Sequence, residues 1–274
     1  MTRPAALAAG LVLVALFATA CGPDQHDQAG RPQFSPFTPA TSEPAPTTTP
    51  TTTAPTTAPT PPPTEPTPSR PPAPRSTVGP LDTRRTTGSR GVALTFDDGP
   101  SPDWTPKVLD QLRKTQVKAT FCVVGTRVRK YPQLVARIVR EGHTLCNHSW
   151  QHDLELGSRP RADIRADLTR TNGEIGRAVP GARIGYYRQP GGKWTPAVVQ
   201  VSRELGMVPL HWDVDPRDWD RPGAAAISKR VLAQARPGSI ILLHDGGGDR
   251  SGTLTACPGL IAALKQKYGI TRLK

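Results

Sequence analysis

The chain has 274 residues, including 32 prolines and four cysteines, and carries 35 Lys+Arg against 22 Asp+Glu, a formal +13 at pH 7. So basic a chain calls for an anionic neighbour, yet it has no dense Lys/Arg tract with interleaved aromatics, which speaks against nucleic acid. The cysteines match no Cys-rich zinc spacing, and there is no internal repeat.

At the N-terminus, Arg3 precedes an apolar run over 5–18 and the small-residue signal Ala18-Thr19-Ala20. This is the layout of an export signal peptide over residues 1–21. The run is too short for a comfortable membrane span. Cys21 and Gly22 follow, and the junction resembles a bacterial lipobox, which would put a lipid anchor on Cys21 at the outer face of the membrane. Ala-x-Ala equally suits ordinary signal peptidase and plain secretion. Residues 22–85 are mainly Pro, Thr, Ser and Ala with almost no large apolar side chains, so a disordered Pro/Thr-rich linker is expected there. At about 3.1 Å per residue in polyproline II it would reach on the order of 200 Å. That length suits a thick cell wall, or simply a generic stalk. Residues 86–274 remain for one domain with a substantial core.

Within that domain, 91–96, 118–124, 143–146, 183–187, 207–212, 239–243 and 270–273 read as short apolar strands. Helical spacing lies between them, as in Ile164, Leu168, Thr171 and Ile175, or Val135, Ile138 and Val139. Pro258 suits the first turn of a helix leading into Leu260 and Leu264. About seven strands alternating with about six helices imply an α/β fold with parallel pairing, a small barrel or an open sheet.

Five polar clusters follow these apolar runs: Thr95-Phe96-Asp97-Asp98-Gly99-Pro100, Asn147-His148-Ser149-Trp150-Gln151-His152, Arg188-Gln189-Pro190-Gly191-Gly192, Asp215-Pro216-Arg217-Asp218-Trp219 and Leu242-Leu243-His244-Asp245. Polar tips on buried parallel strands collect at one sheet edge, where such folds place chemistry. A turn at Gly99-Pro100 lets Asp97 and Asp98 approach one centre, one holding a cation and the other taking a proton from water. His148 and His152, four apart, would share one face of a helical turn and converge on that cation. His244 is placed to protonate a leaving group. Arg188 and Asp218 are expected to form a buried ion pair that fixes the catalytic carboxylate. Each feature also has a plain structural reading: loop residues, two surface histidines, a core histidine capped by Asp245, an ordinary salt bridge.

In order and spacing, these clusters resemble the five motifs of the polysaccharide deacetylase family, also known as the NodB homology domain or carbohydrate esterase family 4. The resemblance implies a distorted (β/α) barrel. It also implies Asp97 as general base, Asp98 with His148 and His152 as ligands of one divalent cation such as Zn2+ or Co2+, and His244 as general acid. Arg188 and Asp218 would orient the base, Trp219 and Leu242 would wall the acetyl methyl, and the Gly191 N–H would help hold the oxyanion. Gly191 departs from the family pattern, which usually has an aromatic residue there; Trp150 or Trp194 would have to compensate.

Cys122 and Cys146 fall near the ends of neighbouring predicted strands, where a bridge is geometrically allowed in an oxidising compartment, leaving Cys257 odd. The substrate expected for an exported, anchored domain is an acetylated polysaccharide, first of all peptidoglycan, hydrolysed to acetate by a monomer. Chitin oligosaccharide deacetylase and acetylxylan esterase use the same residues, and a catalytically silent wall-binding protein is the alternative from another class.

Overall fold

The computed structural model describes residues 76–274, so the expected signal peptide, Cys21 and the expected linker up to residue 75 lie outside the described residues. In chain order the main elements are β1 (Ala93–Asp97), α1 (Thr105–Thr115), β2 (Thr120–Val123), α2 (Gly125–Lys130), α3 (Pro132–Arg140) and β3 (Thr144–Asn147). Then come α4 (Arg161–Ala178), β4 (Ile184–Tyr187), α5 (Pro196–Glu204), β5 (Val208–Pro209), α6 (Ala224–Gln234), β6 (Ile240–His244) and α7 (Ser251–Lys267). All strand pairs are parallel, in the order β5-β4-β3-β2-β1-β6.

The fold is a distorted (β/α) barrel whose last turn is made by irregular backbone. The strand expected over 207–212 keeps ladder pairing with β4 only at Val208 and Pro209, because the chain then swings across to β6. Asp213 and Val214 donate their N–H groups to Ile240 O, and Leu242 N–H donates to Val214 O. This segment carries the sheet from β4 round toward its opposite edge.

Three expectations need correction. The strand over 270–273 reduces to a single parallel bridge between Ile270 and Val92, since the tail turns to bury Leu273 beside Tyr186; the sheet of the described residues has six strands rather than seven. The linker does not run to Arg85: Thr83 is buried, Arg84 N–H donates to Pro209 O, and His211 N–H donates to Arg84 O. Backbone pairing holds this stretch, which its apolar-poor composition did not reveal. Finally, Pro258 does not open a helix but sits inside α7, which starts at Ser251 and also contains Cys257. A proline there frees the carbonyl four residues back, and Gln111 Nε2 donates to that carbonyl, Leu254 O, at 2.9 Å.

Strand alternation sorts the side chains. Leu94, Phe96, Phe121, Val123, Ile241 and Leu243 pack with Leu109 and Leu112 of α1, Ile138 of α3 and Leu260 of α7 in the main core. Burying each such side chain stabilises the fold by about 1.5–3 kcal/mol. The alternate face carries Ala93, Cys122, Cys146, Tyr186 and Ile240 in a smaller cluster, and Thr95 and Asp97 share it. Cys122 and Cys146 are partners in the β2–β3 register, and their sulfurs are bonded.

Candidate active site

Parallel register brings the polar clusters together. Asp97 ends β1 opposite His244 at the end of β6, β3 ends at Asn147 beside Tyr187 of β4, and His148 and Arg188 are the next residues along. They border a cavity of about 430 Å³ lined by Asp97, Asp98, His148, His152, Leu154, Gln189, Gly191, Trp212, Asp215, Trp219, Leu242 and His244.

Asp98 stands in the left-handed region at φ 72°, as do Ser149 at 65° and His152 at 61°. Non-glycine residues rarely adopt it, and clusters of them mark sites where surrounding structure imposes the geometry. The histidines therefore meet across an irregular loop, not on the helical turn the i, i+4 spacing suggested. Their rings lie edge to face with centroids 5.0 Å apart. Asp98 Oδ1 is 3.4 Å from His148 Nε2 and 3.2 Å from His152 Nε2. Asn147 Oδ1 accepts from Ser149 N–H at 2.9 Å and pins the turn.

These three residues fit a divalent cation. Asp98 Oδ1 is buried with no hydrogen-bond partner, and one ligand atom from each residue lies within 4.8 Å of the others. His148 Nδ1–H donates to Arg188 O at 2.8 Å, which leaves the Nε2 lone pair facing Asp98. Burial alone would raise the Asp98 carboxyl, but the adjacent His148, with His244 and His152, holds it well below the ordinary carboxylate range. Burial lowers the His152 imidazole and keeps it available as a neutral ligand. Two imidazoles and one carboxylate leave coordination positions open, as hydrolysis requires.

Arg188 and Asp218 do not pair with each other, contrary to the expectation. Arg188 Nη1 donates to Asp97 Oδ1 and to Thr95 Oγ1, at 2.7 and 2.8 Å, while its remaining nitrogens donate to Leu210 O and His211 O. Asp218 instead accepts from His244 Nδ1–H at 2.6 Å. Arg188 follows β4 and its guanidinium reaches Thr95 and Asp97 of β1, whereas Asp218 lies in the long β5–β6 connection beside the end of β6. Asp245 does not cap His244; it accepts from Thr105 Oγ1, and burial raises it to about 7.

The apolar wall also differs from expectation. Trp219, 44% exposed, and buried Leu242 line the cavity. Trp150 is buried between the guanidinium groups of Arg129 and Arg170, and Trp194 donates to His211 Nδ1; neither lines the cavity. Leu154, 42% exposed, and Trp212 do. A Cβ on Gly191 would lie 3.0 Å from Leu154 Cδ2, and one on Gly192 2.6 Å from Trp212, so the glycine pair is what admits them. A methyl-sized clash is invisible in sequence, and nothing near Leu154 or Trp212 forms a motif.

Fold and site together define a (β/α)-barrel hydrolase with an Asp-His-His cation set. Residues 84–210 match the family model for polysaccharide deacetylase. The chitooligosaccharide deacetylase of Sinorhizobium fredii is 43% identical over 199 residues, spanning 69% of this chain and 92% of that protein. A peptidoglycan-N-acetylglucosamine deacetylase of Bacillus cereus is 38% identical, spanning 64% and 82%. Among solved structures, a CE4 family pseudoenzyme from Bacillus anthracis superposes with TM-score 0.65 at 28% identity, over 70% of this chain and 67% of that one. The chain belongs to the polysaccharide deacetylase family and is a hydrolase of carbon–nitrogen bonds other than peptide bonds.

Proposed function

We propose that this protein is an exported, lipid-anchored peptidoglycan N-deacetylase, hydrolysing N-acetylhexosamine to free amine and acetate with one zinc ion. The observation that carries the reading is the convergence of Asp98, His148 and His152 with Asp97 and His244 on one cavity. The export signal, Cys21 and the long Pro/Thr-rich stretch support a location between membrane and wall. The basic charge supports an anionic surrounding polymer. The second reading, a chitooligosaccharide deacetylase, is favoured by the higher identity to the Sinorhizobium protein.

A divalent cation held by Asp98, His148 and His152 supplies Lewis acidity toward water and the acetyl carbonyl. Asp97, fixed by Arg188, takes a proton from the attacking water through its free oxygen. The Gly191 N–H donates to the carbonyl oxygen as it gains charge. Trp219 and Leu242 enclose the methyl. The His244 imidazolium, its Nδ1–H oriented by Asp218, gives its Nε2 proton to the departing amine as the C–N bond breaks.

The test is acetate release from peptidoglycan, chitin oligomers and acetylated xylan in parallel. Release chiefly from peptidoglycan is expected. Release chiefly from chitin oligomers favours the second reading, and release from xylan alone makes the protein an esterase.

A further inference from the structure

Arg250 and Thr253, at the start of α7, lie outside the five motifs, yet both are buried against Asp218. Asp218 Oδ2 accepts from Thr253 Oγ1 at 2.7 Å and from His244 N–H at 2.9 Å. That leaves Oδ1 for the imidazole. Deeper in their helices, Thr115 and Thr171 turn their hydroxyls to the carbonyl four residues back. Thr253 reaches across 35 residues to a carboxylate instead.

Arg250 fixes the frame in which this happens. Its guanidinium donates to Gly246 O at 2.6 Å, Gly247 O at 3.1 Å and Asp218 O at 3.3 Å. The Gly246-Gly247 turn lies directly on Asp98, since a Cβ at either glycine would overlap it. One side chain thus ties the backbone carrying the acid's partner to the backbone lying on the cation ligand.

We infer that Thr253 is a positioning residue for the general acid: its hydroxyl locks the Asp218 carboxylate, so that the other oxygen orients His244 toward the leaving amine. Without it, Oδ2 keeps one donor and the carboxylate can rotate, so the imidazole loses its single orientation. The inference rests on the deacetylase reading above. It concerns protonation of the leaving group, not attack by water.

The test compares the full chain with Thr253→Val, Thr253→Ala and Thr253→Ser on two substrates. One is the acetylated glycan, whose amine needs a proton; the other is 4-nitrophenyl acetate, whose phenolate leaves without one. Thr253→Val should lower kcat on the glycan by about tenfold with KM little changed, and on the ester by no more than about threefold, with Thr253→Ser restoring both. Thr253→Ala should behave like Val, which keeps the test intact if one variant folds poorly. Equal losses on both substrates, or wild-type kcat on the glycan, overturn the inference alone. A wild-type chain that releases no acetate from any glycan overturns the deacetylase reading, and the inference with it.

Discussion

Arg188 Nη1 lies 2.7 Å from Asp97 Oδ1, with the two side chains 0% and 3% exposed, so the carboxylate proposed as the base is held by a buried ion pair. Such a pair is costly to break, because removing one partner strands a buried charge. With Oδ1 committed to Arg188, Oδ2 is the oxygen available for a proton.

Asp97→Asn should therefore separate chemistry from cation binding. Turnover should fall by about 10²–10⁴-fold, while cation affinity, measured by calorimetry, stays close to wild type. The variant should also unfold more readily, by about 3 kcal/mol, from the uncompensated guanidinium. A near-normal rate would exclude Asp97 as base.

As the proposed general acid, His244 should set the alkaline side of the pH profile. Burial alone would lower its imidazole, but the hydrogen bond and charge of Asp218 outweigh that and raise its pKa from 6.5 to about 9. An acid raised in this way stays protonated through neutral pH and loses its proton as the pH rises through that value. A cation held by Asp98, His148 and His152 would draw that limb down by repulsion. Asp218→Asn should move the alkaline limb of kcat/KM to lower pH by about one unit or more. An unmoved limb would assign it to another group.

Gly246 tests how closely the loops fit. A Cβ at this position would overlap the Asp98 backbone, so Gly246→Ala must displace Asp98, a ligand of the proposed cation. Cation affinity should fall by about tenfold or more, by the logic that supporting contacts tune a metal site. Retained affinity in a titration would mean that the loop yields elsewhere.

The disulfide closes a separation of 24 residues between adjacent strands. Chain-entropy arguments give about 3 kcal/mol of stabilisation for such a loop. A Cys122→Ala, Cys146→Ala double variant should lose about that much in denaturant unfolding while keeping its turnover, since neither sulfur lines the cavity.

How much of this was legible depended on whether the information was local. The clusters around Asp97, His148, Arg188, Asp218 and His244 could be read because each is a short polar run after an apolar strand, and parallel pairing brings strand ends together. Partners could not be read. Arg188 pairs with Asp97 through a side chain that reaches from the end of β4 to β1, and Asp218 with His244 through a long connection, neither written in any one segment. The helical turn expected for His148 and His152 failed because i, i+4 spacing also fits a loop with left-handed residues at Ser149 and His152. Pro258 misled for a similar reason: Gln111, far away in sequence, satisfies the carbonyl that proline frees. Leu154, Trp212 and Thr253 carried no motif at all.

The most direct measurement is acetate release from peptidoglycan by the chelated protein during stepwise addition of zinc. The chelated protein should be inactive, and activity should return in proportion up to one equivalent per chain and then level off. Full activity before any zinc is added would contradict a mechanism built on Asp98, His148 and His152.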